Sequence, residues 1–308
     1  MSSPTQWSGS DHNMWMPTGT TSKALPPDFY ILSAMMGQPY LTAHCPKTDN
    51  AIIVADSVSN RIIDQIKRFH DARPVYERFG LLHKRGIMLT GDAGSGKSMA
   101  ANIAGKYVIE KGGCVISPSN PGYFELLPSM LTQLRKIHPD MPVLCILEDI
   151  DHPAYTEHIE MHLSLLDGHW QIGNCFYIAT TNHVSEIDER LTNRPKRYDE
   201  VINVGPPSEE ARRSYLEQIV PKDQPMRKEA IDALVKASHN LMFSHLSELM
   251  IAYLVLDHPL DEAAKRLHKM NEPPNDDDIM GGSPASGNWT IAIDASALKK
   301  ATKVRSRR

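Results

Sequence analysis

The octet Gly91-Asp92-Ala93-Gly94-Ser95-Gly96-Lys97-Ser98 constrains this chain more than any other feature. It fits G-x-x-x-x-G-K-[ST] and stands between an apolar strand-like run, GIMLT, and a helix-like segment, MAANIAGKYVIE. Strand, glycine-rich loop and helix in that order bring successive backbone N–H groups toward one point, and the positive end of the helix is aimed there. The glycines permit the backbone conformations this needs. Lys97 adds a full positive charge and Ser98 a hydroxyl suited to a hard cation. The group such a loop accommodates is a polyphosphate with Mg²⁺.

The rest of the chain fits a sheet around that loop. Five short runs, Gly86 to Thr90, Cys114 to Ser117, Val143 to Leu147, Cys175 to Thr180 and Glu200 to Val204, alternate with helical stretches. That alternation predicts an α/β fold, a parallel sheet flanked by helices. VLCIL and CFYIA are apolar at nearly every position, as strands covered on both faces are. Ahead of them, Val58, Ile62, Ile63, Ile66 and Phe69 recur at helical spacing from Ser57 to Phe69. After Gly205-Pro206-Pro207 only helices are expected: Ser208 to Val220, Arg227 to His239, His245 to Asp257 and Leu260 to Met270. With 308 residues and 41% apolar content, one large core and a small second domain are affordable. The expected division is an irregular arm over 1–50 with one short helix near Tyr30 to Met36, an α/β domain over 51–206, a helical domain over 207–271, and a linker with a basic tail over 272–308.

Two further clusters carry chemistry. VLCILEDID ends a buried strand in Glu148, Asp149 and Asp151, three acids that repel one another unless a cation sits between them. Alone they would read as solvated loop residues; next to the phosphate loop they read as metal- and water-handling acids. CFYIATTN places Asn182, a donor and acceptor able to orient a water, at the end of the fourth strand. Arg194 and Arg197 follow in a polar stretch where Pro195 favours an extended backbone, and local pairing with Glu186, Asp188, Glu189, Asp199 or Glu200 is the alternative role for them.

Taken in order, GDAGSGKS, CILEDID, IATTN and DERLTNRPKRYD resemble the AAA branch of P-loop ATPases over about residues 50 to 270. EDID, LLDG and TNRPKRYDEV are most similar to the subgroup related to the mitochondrial translocase of the Rieske protein and to similar bacterial and phage ATPases. The resemblance implies ATP and Mg²⁺ as cofactors, held by Gly91 to Ser98 and Met99, with Ser98 and Glu148 on the metal. It implies Asp149 as the water-activating acid, Asn182 as sensor one, and Arg194 and Arg197 as arginines reaching the ATP site of the next subunit. The implied assembly is a homo-oligomeric ring, typically of six, with a helical lid. Two departures stand out: Asp92-Ala93 replaces Pro-Pro, and the acid order Glu-Asp is reversed, which shortens the presumed catalytic side chain. Tyr123 and Phe124, after the second strand, match a substrate-gripping loop, although adjacent aromatics at a helix start serve equally as core anchors.

Charge and cysteine usage narrow the function. A net charge of −4 gives no general basic field for nucleic acid, so a protein substrate is favoured, a nucleic-acid-directed motor or an ATP-gated scaffold with little hydrolysis being the alternatives. Cys45, Cys114, Cys145 and Cys175 have no C-x-x-C spacing and suit a reducing compartment. No run is long and apolar enough to span a bilayer, so a soluble, cytoplasmic protein is expected. His158 and His162 are four apart, yet HIEMH lacks the order of a zinc-protease motif.

Overall fold

The structure, a computed structural model, describes residues 6–10, 14–18, 24–46, 58–194, 196–219 and 227–271. The basic tail and the linker before it lie outside the described residues. The chain divides into units Met1–His268 and Lys269–Arg308, and the account below concerns the first.

Among the described residues nine strands form one sheet: β1 (Gln6–Ser10), β2 (Met14–Thr18), β3 (Phe29–Met35), β4 (Gln38–Ala43), β5 (Lys84–Thr90), β6 (Cys114–Pro118), β7 (Val143–Leu147), β8 (Cys175–Thr181) and β9 (Glu200–Asn203). Their spatial order is β1-β2-β4-β3-β6-β7-β8-β5-β9. From β3 to β9 every pair is parallel, and β1, β2 and β4 extend the sheet in antiparallel fashion. The helices are α1 (Val58–Asp71), α2 (Arg73–Arg78), α3 (Lys97–Glu110), α4 (Leu127–Ile137), α5 (Pro153–Glu157), α6 (Ile159–Asp167), α7 (Glu189–Thr192), α8 (Glu209–Ile219), α9 (Lys228–Ala237), α10 (Phe243–Met250) and α11 (Leu260–Asn271).

Alternation along the strands explains why their sequences are apolar throughout. Ile87, Leu89, Leu144, Ile146, Phe176 and Ile178 pack with Ile62, Ile66 and Phe69 of α1 and Ala101 and Ala104 of α3. Met88, Cys145, Leu147, Tyr177 and Ala179 point the other way, onto Leu131 and Leu134 of α4 and Leu165 and Leu166 of α6. Both faces are dry, so each of these larger side chains contributes about 1.5–3 kcal/mol by leaving water. The three strand cysteines, Cys114, Cys145 and Cys175, are buried free thiols within this packing, and burial pushes Cys114 up to about 12.

The expectation of an irregular arm with a helix near Tyr30 to Met36 is overturned. Residues 29–43 are a β-hairpin, β3 paired with β4, and β3 also pairs with β6. Tyr30 and Leu32 enter one core while Phe29 and partly buried Ile31 enter the other, so the run lacks the polar positions that betray a half-wet strand. Met36 and Gly37, both at positive φ, make the two-residue turn, which the pair Met-Gly does not announce as Asn-Gly or Asp-Gly would. The helix expected over His245 to Asp257 starts at Phe243 instead and loosens after Met250 into a wide π turn, Ile251–Val255. Leu216, Leu234, Leu246, Leu249, Ala263 and Leu267 form a separate cluster among α8 to α11.

Candidate functional site

β5 delivers the chain into the loop, and Gly91, Gly94 and Gly96 all take positive φ there. Two of them are also sterically obligatory. A Cβ on Gly91 would lie 2.3 Å from the Val204 carbonyl oxygen, and one on Gly94 would lie 2.1 Å from Ser244 Oγ. α3 starts at Lys97, so its first N–H groups and its dipole point back across the loop.

Lys97 is buried and donates to the Gly91 oxygen (2.7 Å), the Asp92 oxygen (2.9 Å) and Asn182 Oδ1 (2.7 Å). Burial draws its ammonium below the ordinary lysine value, opposed by the fields of Asp149, Asp92 and Asp151. Asn182 Nδ2 in turn donates to Asp149 Oδ1 at 3.3 Å, closing a chain from lysine through amide to carboxylate. Asp149 sits at φ 49°, a conformation aspartate tolerates better than most residues. Its N–H donates to Thr180 Oγ1 and that of Ile150 to the Thr180 oxygen, which bolts the turn after β7 to β8.

These groups line a cavity of about 640 Å³. Ala93 through Met99, Asp149 and Asn182 contribute to it, and so do Val204, Tyr215, Phe243 and Ser244. Gly91 and Asp92 are not in the lining; they serve it through the carbonyls that hold Lys97. Asp92 is exposed, so its charge faces water rather than the cavity. Glu148 is also exposed and outside the lining, so Asp149 is the carboxylate brought toward Ser98. Asp151 has a buried, unpartnered Oδ1 and reaches the cavity through its field on Lys97.

The donor set fits a polyphosphate. Glycines that admit no side chain, a helix start, a buried lysine and the buried, unpartnered Ser95 hydroxyl converge on the cavity. Ser98, also in the lining, would offer a hydroxyl oxygen of the kind Mg²⁺ takes, with the Asp149 carboxylate on the same cavity.

Arg194 and Arg197 are elsewhere. Both approach Asp167 Oδ2, at 3.5 and 3.6 Å, and the buried Arg197 also donates to the Arg190 carbonyl. Of the acids expected as local partners none holds them; Asp188 pairs with Arg190 and Glu200 with Arg61. The two arginines flank a second, smaller cavity with Ser164, Gly168 and His169.

No family model matches the chain. Curated relatives do match about half of it. The ATPase family gene 2 protein of Schizosaccharomyces pombe is 29% identical over 160 residues, 47% of this chain and 19% of its own length. The AAA ATPase forming ring-shaped complexes of Kocuria rhizophila is 25% identical over 200 residues, 55% of this chain and 35% of its own. The mitochondrial chaperone BCS1 of Homo sapiens is 26% identical over 167 residues, 49% of this chain and 38% of its own. Over about half its length the chain is thus similar to AAA-type ATPases, at modest identity. It spans well under half the length of these relatives.

Phe124 is fully buried, with ring centroids 5.3 Å from Tyr155 and 4.8 Å from His162, so it is a core anchor. Tyr123 is half-buried, its N–H held by Asn120 Oδ1 at the start of the turn. His162, drawn to about 3 by burial, bonds Tyr198 through Nε2 at 2.8 Å, a packing role for one member of the HIEMH pair. Sequence reasoning missed the helical contribution to the cavity. Tyr215 and Phe243 pack with centroids 5.3 Å apart, and the Ser244 N–H points to the Gly94 oxygen at 3.4 Å. No local signal marks those residues, because only the packing of α8 and α10 brings them over the loop. No described helix is long and apolar enough to cross a membrane.

Proposed function

We propose that the chain binds ATP with Mg²⁺ on the Gly91–Ser98 loop and hydrolyses it in a homo-oligomeric ring of six, remodelling or translocating a protein substrate. The single observation that carries this reading is the bonded series Lys97–Asn182–Asp149 along one cavity. When bound, Mg²⁺-ATP supplies the phosphoanhydride to be cleaved and a cation that offsets its charge. Lys97 balances phosphate charge, Ser98 offers a metal ligand, and Asp149 takes the proton of the attacking water while Asn182 holds both in register. Glu148, which the family resemblance puts on the metal, faces out of the cavity and takes no part in this reading, and α8 to α11 act as the lid.

Distance supports the ring. The arginine pair sits by the start of β5, beside Lys84 and Gly86, and the loop leaves its far end. A seven-residue strand puts the two about 20 Å apart, so Arg194 and Arg197 serve an adjoining copy's site rather than their own. The Kocuria rhizophila relative is named for its rings and the human one as a chaperone, which favours ring assembly and a protein substrate here too. The test is Asp149→Asn: ATP binding is retained and steady-state phosphate release falls by about 10²-fold or more, the scale of a lost general base. Unchanged turnover removes Asp149 from the mechanism, and salt-sensitive stimulation of the wild type by DNA or RNA redirects the substrate to nucleic acid.

A further inference from the structure

Resting on the ring reading above, we propose that Lys84 is a positioning residue for the arginine pair, its ammonium tying α6 to the segment that carries Arg197 and so setting how both guanidiniums meet the adjoining copy. Lys84 and Lys97 are the two buried lysines among the described residues. The motif explains Lys97; nothing in the sequence explains Lys84.

Its contacts do. Lys84 Nζ donates to the Leu166 carbonyl and to the Lys196 carbonyl, the latter at 2.6 Å. Leu166 precedes Asp167, the carboxylate that both arginines approach, and Lys196 precedes Arg197. One ammonium therefore grips the main chain one residue before each half of the arginine–carboxylate unit. The rest of the clamp is equally close. A Cβ on Gly86 would lie 2.6 Å from the Arg197 carbonyl oxygen and 3.2 Å from Tyr198 Cδ1, so that segment lies directly on β5. Gly86 N–H donates to Asp199 Oδ2 and Asp199 N–H to the Gly86 oxygen, at 2.9 and 2.7 Å. Tyr198 is tied to α6 again through His162.

Lys196 itself takes φ 75°, a conformation unfavourable for a lysine that persists only where the surroundings impose it. Burial pulls the Lys84 ammonium below its usual value, and Asp199 and Asp167 hold it up. A buried cation spent on two carbonyls is a costly way to satisfy them unless their relative placement matters. An arginine that acts on another subunit is a case where it matters, since a 1 Å misplacement costs catalysis about 10²-fold.

Mixed rings test this with a readout that general damage does not produce. Subunits carrying Lys97→Ala keep their arginines but lose their own site; subunits carrying Arg197→Ala keep the site. Together they regain ATP hydrolysis at the interfaces where one completes the other. Adding Lys84→Met to the Lys97→Ala subunit is expected to lower that regained hydrolysis by about 10²-fold. Adding it to the Arg197→Ala subunit leaves it within about threefold, an offset of under 1 kcal/mol. Equal losses in both positions, or none in either, overturn the positioning role. Failure of the parent mixture to regain any hydrolysis overturns the shared-site reading first and this inference with it. Should Lys84→Met subunits fail to assemble, Lys84→Gln, which keeps amide donors near the carbonyls, carries the same comparison with the same deciding outcomes.

Discussion

Lys97 and Lys84 stand at opposite ends of the region built on β5, both buried, both bonded to main-chain carbonyls, and they do different work. Lys97 lines a cavity whose walls are glycine backbone, so its ammonium has somewhere to turn. Lys84 bridges two segments of main chain and holds them together. The lesson is that a buried lysine is not a site by virtue of its burial or its bonds. What separates the two is whether the surrounding backbone leaves room for a ligand or closes on itself.

The comparison breaks hardest at the arginine end. Arg197→Ala is expected to cut turnover by about 10³-fold or more while ATP affinity stays within about threefold, read by phosphate release and nucleotide titration. A parallel fall in affinity would mean that Arg197 belongs to its own subunit's cavity. At the other end, Lys97→Ala removes a charged hydrogen-bond donor and is expected to weaken ATP binding by about 10²-fold, measured with a fluorescent analogue. Wild-type affinity would make the loop a structural turn.

A smaller effect separates the two ends by pH. His162 underpins the arginine segment as a neutral ring, its value drawn to about 3 against an ordinary 6.5. The unfolded chain therefore binds the extra proton first as pH falls. Stability from this group is full above pH 6.5 and is lost progressively toward pH 3, about 2 kcal/mol of it by pH 5. His162→Phe should flatten the dependence of the urea midpoint on pH between 6.5 and 5. It should not abolish it, because burial also lowers His70, His83 and His138. An unchanged slope would place the acid sensitivity elsewhere.

The loop, the acids after β7 and Asn182 were legible because each sits at the end of an apolar strand, where local pattern and chemistry coincide. Asp149 could be picked from the run EDID, but that Glu148 turns outward depends on the φ of 49° after it and on the bonds from the turn to Thr180. The hairpin of β3 and β4 was illegible for a complementary reason. Its strand faces two cores at once, and without polar alternation a short apolar run fits a helix as well as a strand.

By itself the sequence determined the α/β alternation and the glycine-rich loop, since both depend on residue types at short spacing: glycines where φ is positive, apolar runs where both faces are covered. Only the tertiary structure decided that Ser244 lies over Gly94, that Asp167 gathers both arginines, and that Lys84 joins α6 to the Arg197 segment. Those contacts join residues dozens to well over a hundred positions apart. Nothing in a local pattern encodes them; they arise when the sheet order places β5 between β8 and β9 and closes the helices over its two ends.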